Sequence, residues 1–185
     1  RVQVVARALT DALAAPDAPQ TPGKFGYAVD CGVRPILSGV SADIRIEAAT
    51  GGFLVRADGA DTGAFATADT VAIRAMDLAH WFLATGGAPE GRGRMAAHLA
   101  RGAVLPERFR EASATPPAAA VRPAPGHCAH GFLVGFEFGQ MRSDTLAALS
   151  DCGALRVTPW RMLLIEGAQA APGIAGLITD ADDPL

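Results

Sequence analysis

Residues 155–167 read L-R-V-T-P-W-R-M-L-L-I-E-G, and their pattern decides how the later part of the chain folds. Leu155 and Val157 alternate with Arg156, and Met162, Leu163, Leu164 and Ile165 form an unbroken apolar run ahead of Glu166-Gly167. Proline fixes its own φ and pushes the residue before it towards extended backbone, so Pro159 makes a helix through Thr158 costly. The stretch predicts two short strands joined at a bend. Just past that bend, Trp160 and Arg161 set a large amphipathic ring beside a permanent cation. A guanidinium fork matches a carboxylate and an indole face suits a conjugated ring, so the pair is a candidate site for a planar, carboxylate-bearing ligand. The competing reading is a core tryptophan next to a structural ion pair.

Working outward, residues 132–138 read as a strand. Ser143 is expected to cap a helix that carries Leu146 and Leu149 and ends at Gly153, and a last short helix is expected around Ile174 and Leu177. Gln140 stands between strand and helix, where its amide can reach a ligand or the helix's free N–H groups. Upstream, A-T-P-P-A-A-A-V-R-P-A-P-G at 114–126 has too much proline for regular structure and too few large apolar side chains to anchor a core. It reads as a stiff linker, assigned to 114–130.

The first part of the chain has its own pattern. Val2, Val5, Leu9 and Leu13 recur at helical spacing before Pro16. A strand is expected around 25–30. Ile44 and Ile46 alternate with Asp43, Arg45 and Glu47, and after Thr50-Gly51-Gly52 the alternation resumes over 53–57, which predicts half-buried strands joined by a tight turn. A shorter strand at 64–66 completes an antiparallel meander. Thr67 or Asp69 is placed to cap a largely buried helix that Gly86-Gly87 ends, with His80 as a core histidine paired to Asp77. Two short helices are expected at 94–100 and 106–112. The fold class is therefore α+β, with a mixed or antiparallel sheet domain with helices at 1–113 and a small sheet-and-helix domain at 131–185.

Composition narrows the class. Half of the 185 residues are hydrophobic and 19% are charged, enough for one sizeable core or two small ones. No apolar run approaches the roughly 18 residues of a membrane span, so no membrane partner is expected. The net charge of -3 supplies no basic field for nucleic acid. Cys31, Cys128 and Cys152 are odd in number and far apart, which is neither a disulfide framework nor a paired metal motif and suits a reducing, cytoplasmic setting. His127-Cys128-Ala129-His130 packs its donors too closely in sequence to wrap one tetrahedral ion, so no metal ligand is assigned. No phosphate loop, dinucleotide fingerprint, nucleophile elbow or zinc-protease helix is present.

Three stretches carry a resemblance to a known family. L-R-V-T-P-W-R at 155–161 resembles the L-R-L-T-P-x-R strand pair in the ferredoxin-like half-domain of nitrite and sulfite reductase-type proteins, and its T-P-W-R form is most similar to the precorrin-3B synthase family. T-P-G-K-F-G-Y-A-V-D at 21–30 is similar to the segment opening that superfamily's middle domain, and G-L-I-T-D-A-D-D-P at 176–184 is similar to the one before its cysteine-bearing domain. The resemblance implies a ferredoxin-like half-domain at 131–185 and a monooxygenase-type oxidoreductase of aerobic cobalamin biosynthesis that converts precorrin-3A to precorrin-3B. It implies a tetrapyrrole substrate held by Lys24, Gln140, Trp160 and Arg161. A [4Fe–4S] cluster and iron are implied for the full-length family protein. With three separated cysteines, this chain is not expected to hold the cluster by itself, and it is expected to lack the first half-domain and the C-terminal cluster domain, its partners in the parent protein. Two departures bear on the choice among relatives. The family's cofactor-binding arginine usually follows T-P directly, whereas here Trp160 holds that place and Arg161 comes next. The second lysine of the reductases' K-F-K is Gly26. A sirohaem-dependent sulfite or nitrite reductase, and a non-catalytic tetrapyrrole-binding module, are the alternatives.

Overall fold

The computed structural model describes residues 2–32, 34–113 and 121–183. The chain divides into two compact units, Arg1–Ala120 and Val121–Leu185. Both combine helices with sheet, a mixed sheet in the first and an antiparallel one in the second, so the protein is α+β. Among the described residues no helix is long and apolar enough to cross a membrane.

The first unit opens with α1 (Val2–Leu13) and carries strands β1 (Tyr27–Asp30), β2 (Ile44–Ala49), β3 (Gly52–Ala57), β4 (Thr62–Ala66) and β5 (Ala112–Ser113), ordered β1-β2-β3-β4-β5. The β2-β3-β4 meander forms where the alternation places it, whereas β1 joins β2 in parallel, with Tyr27 opposite Ile44. Ile44, Ile46, Phe53, Val55 and Ala57 face one side and are buried with Val5 and Leu9 of α1 and with α2 (Val71–Ala84). The intervening residues face the other side, where Arg45 pairs with Asp58 at 2.6 Å and Arg56 with Glu47 at 2.5 Å. A parallel connection without a helix needs other support. It comes from Asp30, whose carboxylate accepts the N–H groups of Ile36 and Leu37, and from Arg45, which donates to the carbonyls of Leu37 and Val40.

Thr70, not Thr67 or Asp69, precedes α2, and its hydroxyl accepts the N–H of Thr67 instead of capping the helix. His80 is exposed, and Asp77 lies nearest Arg74 and Arg108; the buried histidine is His98 of α3 (Met95–Ala100). No helix spans 106–112. Pro106 holds extended ψ, a 3-10 turn at Glu107–Phe109 buries Phe109, and β5 then pairs with Thr62 and Gly63, a partner far away in sequence.

The second unit is built on β7 (Gly131–Phe136), α4 (Ser143–Ser150), β8 (Leu155–Val157) and β9 (Met162–Glu166). The bend predicted at Thr158-Pro159 joins β8 and β9 antiparallel, with Leu155 opposite Ile165. β7 lies beside β9; its other edge takes β6 (Gly126–Cys128) and β10 (Leu177–Ile178). Thus 126–128, expected within the linker, is a paired strand, and 114–120 lies outside the described residues. The helix expected around Ile174 and Leu177 is absent. Pro172, Gly173 and a left-handed Gly176 leave no room for a helical turn, and Leu177 pairs with Phe136. Arg142, not Ser143, holds the N-cap position of α4. One face of the sheet, with Phe132, Val134, Phe136, Leu163 and Ile165, packs with Leu149 of α4; the other carries Leu133, Met162 and Leu164 with Cys128 and Trp160.

Candidate functional site

On that second face the sheet ends in a cleft of about 610 Å³. Gly135, Met162 and Ile178 contribute from adjacent strands, 122–125 forms one rim, and Trp160 and Arg161 stand on a wall. The tight turn after β8 sets that wall. Thr158 donates both its N–H and its hydroxyl to the carbonyl of Met162, at 3.1 and 2.8 Å, and its hydroxyl oxygen accepts the N–H of Trp160 at 3.4 Å. Closing the turn puts Arg161 in left-handed backbone, φ +60°. Trp160 is half-buried and Arg161 exposed. Among the described residues the Arg161 guanidinium has no ion pair or hydrogen bond, which leaves its donor fork free for a carboxylate.

Two residues that the sequence did not single out share the cleft. Arg122 donates to the carbonyl of Trp160 at 3.0 Å and brings a second guanidinium to the rim. Phe138 lies in a 3-10 turn at Glu137–Gly139 with φ +54°. Of the three non-glycine residues with left-handed φ among the described residues, Glu90, Phe138 and Arg161, the last two line this cleft. Such conformations cost about 1–3 kcal/mol each and gather where surrounding structure or a ligand requires them. Asp180 and Asp183 line the cleft as well, the first accepting the N–H of Asp182 at 2.9 Å and the second that of Thr179 at 3.4 Å. Their charges disfavour an anion on that rim and direct a carboxylate towards Arg161 and Arg122.

The other candidates are placed differently. Gln140 follows the cleft-lining Gly139 but is exposed and does not line the cleft; its N–H donates to the carbonyl of Glu137. Lys24 belongs to the first unit, exposed on a turn before β1. Hydrogen bonds hold that turn: Phe25 N–H donates to the Pro22 carbonyl at 2.8 Å, Gly26 N–H donates to the carboxylate of Asp43 at 2.9 Å, and the Gly26 carbonyl accepts the N–H groups of Asp43 and Ile44. Asp43 is fully buried and also accepts from Met95 N–H at 2.8 Å and from Arg94 Nε at 2.9 Å, so it ties the K-F-G turn to the start of α3. Nothing in the local pattern around Asp43 announced this role, because its partners lie far away in sequence.

The implied cluster can be tested against the cysteines. Cys31 is buried in the first unit, Cys128 is half-buried on β6 and Cys152 is exposed after α4. Among the described residues no three His, Cys, Asp or Glu side chains converge as a metal site. These three cysteines do not fit the four converging thiolates of a [4Fe–4S] cluster. Strand alternation also places His127 and Cys128 on opposite faces of β6. No protein-family model, curated protein or solved structure matches the chain.

Proposed function

We propose that the second unit binds a carboxylate-bearing tetrapyrrole, and that the chain is part of a precorrin-3B synthase, the oxidoreductase that oxygenates precorrin-3A in aerobic cobalamin synthesis. The observation that carries this reading is the Trp160–Arg161 pair on the wall of an open cleft, with the guanidinium uncommitted, in the T-P-W-R stretch that resembles that family. The contribution of these residues is binding and orientation. The indole face receives the conjugated macrocycle and Arg161 fixes a ring carboxylate, while Asp180 and Asp183 disfavour a carboxylate on their own rim. Titration with uroporphyrin, an octacarboxylate tetrapyrrole, tests the reading. Arg161→Ala is expected to weaken binding by about tenfold or more, and Arg161→Lys by a smaller factor, since lysine keeps charge but loses the fork. The octamethyl ester of the same ring should bind weakly to all three. Equal affinity of the unaltered chain and both variants would refute the role of Arg161.

A further inference from the structure

We propose that Phe138 is the second aromatic wall of this site, closing on the face of the tetrapyrrole opposite Trp160; the proposal rests on the tetrapyrrole reading above. Along β7, Phe132, Val134 and Phe136 alternate towards α4 and are buried. Two residues further, the same alternation would carry Phe138 under the helix. Instead, the turn at Glu137–Gly139 takes Phe138 to φ +54° and leaves its side chain 81% exposed beside the cleft. The chain thus gives up the burial of a phenylalanine and accepts a backbone conformation that side chains resist. Val121 and Val157 are comparably exposed, but neither has left-handed φ and neither lines the cleft.

The turn is also fitted to the anion-binding arginine. Gly139, φ +70°, has no side chain where one would meet Arg161: an added Cβ would lie 3.3 Å from Arg161 Cδ and 3.4 Å from its Cβ. The aliphatic stem of Arg161 therefore packs against the turn that presents Phe138, and one local arrangement sets both the cation and the ring. Trp160 and Phe138 line the same cleft without their rings touching. A flat conjugated ligand has two apolar faces and a charged periphery, and it matches two separated aromatic side chains with guanidinium at the rim.

Uroporphyrin titration and thermal melts of the chain with Phe138→Gly, Phe138→Tyr and Arg161→Ala test this. Phe138→Gly is expected to weaken binding about tenfold by removing one stacked face. It should also raise the Tm by a few degrees, because glycine takes left-handed φ without strain. Phe138→Tyr should bind within about twofold of the unaltered chain, since the stacking face is kept. Unchanged affinity in Phe138→Gly alongside weakened binding in Arg161→Ala would overturn the wall assignment while leaving the Trp160–Arg161 site standing. Weaker binding together with a lower Tm in Phe138→Gly would show that the ring holds the fold, and would overturn the proposal as well. No binding by the unaltered chain would remove both readings.

Discussion

Tyr27 is the only tyrosine in the chain, so its titration can be followed alone. Its hydroxyl is buried without a hydrogen-bond partner among the described residues, and burial, aided by the charge of Asp43, pushes its pKa from 10.0 up to about 12. The neutral form is favoured in the folded state. Its contribution to stability is therefore present below the unfolded value near pH 10 and is lost as pH rises from there towards 12. Absorbance titration should place phenolate formation near pH 12 in the folded protein and near 10 in denaturant. Because the hydroxyl is unsatisfied, Tyr27→Phe should be neutral or stabilising by up to about 1 kcal/mol in urea unfolding, and should flatten the alkaline loss. Destabilisation beyond that would show that the hydroxyl has a partner. The residues of the site differ in how they reveal themselves. Trp160 and Arg161 are adjacent beside a proline bend, so sequence alone groups them, whereas Phe138 reads as one more apolar residue of a strand until its backbone turns.

At the scale of elements, strands were legible where apolar residues recur at every second position, as Ile44 and Ile46 or Phe53, Val55 and Ala57 do, or where a proline bend divides two apolar runs, as at 155–165. β5 and β10 were not, because each is two residues long and exists only through pairing with a distant strand. The apolar spacing of Ile174 and Leu177 mimics one helical turn, and nothing local says that Phe136 is waiting beside Leu177. Close backbone approach is equally invisible in sequence. At Gly131, φ +143°, an added Cβ would lie 2.0 Å from the carbonyl oxygen of Ile165, inside the β7–β9 ladder that supports the cleft. Gly131→Ala should therefore destabilise the second unit by about 2–4 kcal/mol. At Gly135 the nearest atoms an added Cβ would meet are side-chain atoms, Ile178 Cβ at 3.3 Å and Pro125 Cγ at 3.7 Å, and Gly135→Ala should cost less than about 1 kcal/mol. Similar losses for the two variants in urea unfolding would argue against this registry.

Across the whole molecule, the two units have separate cores: a helix-covered mixed sheet in the first, and in the second a small antiparallel sheet with apolar clusters on both faces. The candidate residues divide accordingly, with Lys24 on the first unit, Trp160 and Arg161 on the cleft of the second, and Gln140 beside it. The proposed tetrapyrrole site is this cleft on the second unit. The most direct measurement is backbone-amide chemical-shift mapping during titration of the isotope-labelled chain with uroporphyrin. Saturable shifts are expected at residues 122–125, 135–139, 159–162 and 178–183, together with their loss in Arg161→Ala. Saturable shifts confined to the first unit, with the amides of 135–139 and 159–162 unmoved, would contradict this placement of the site.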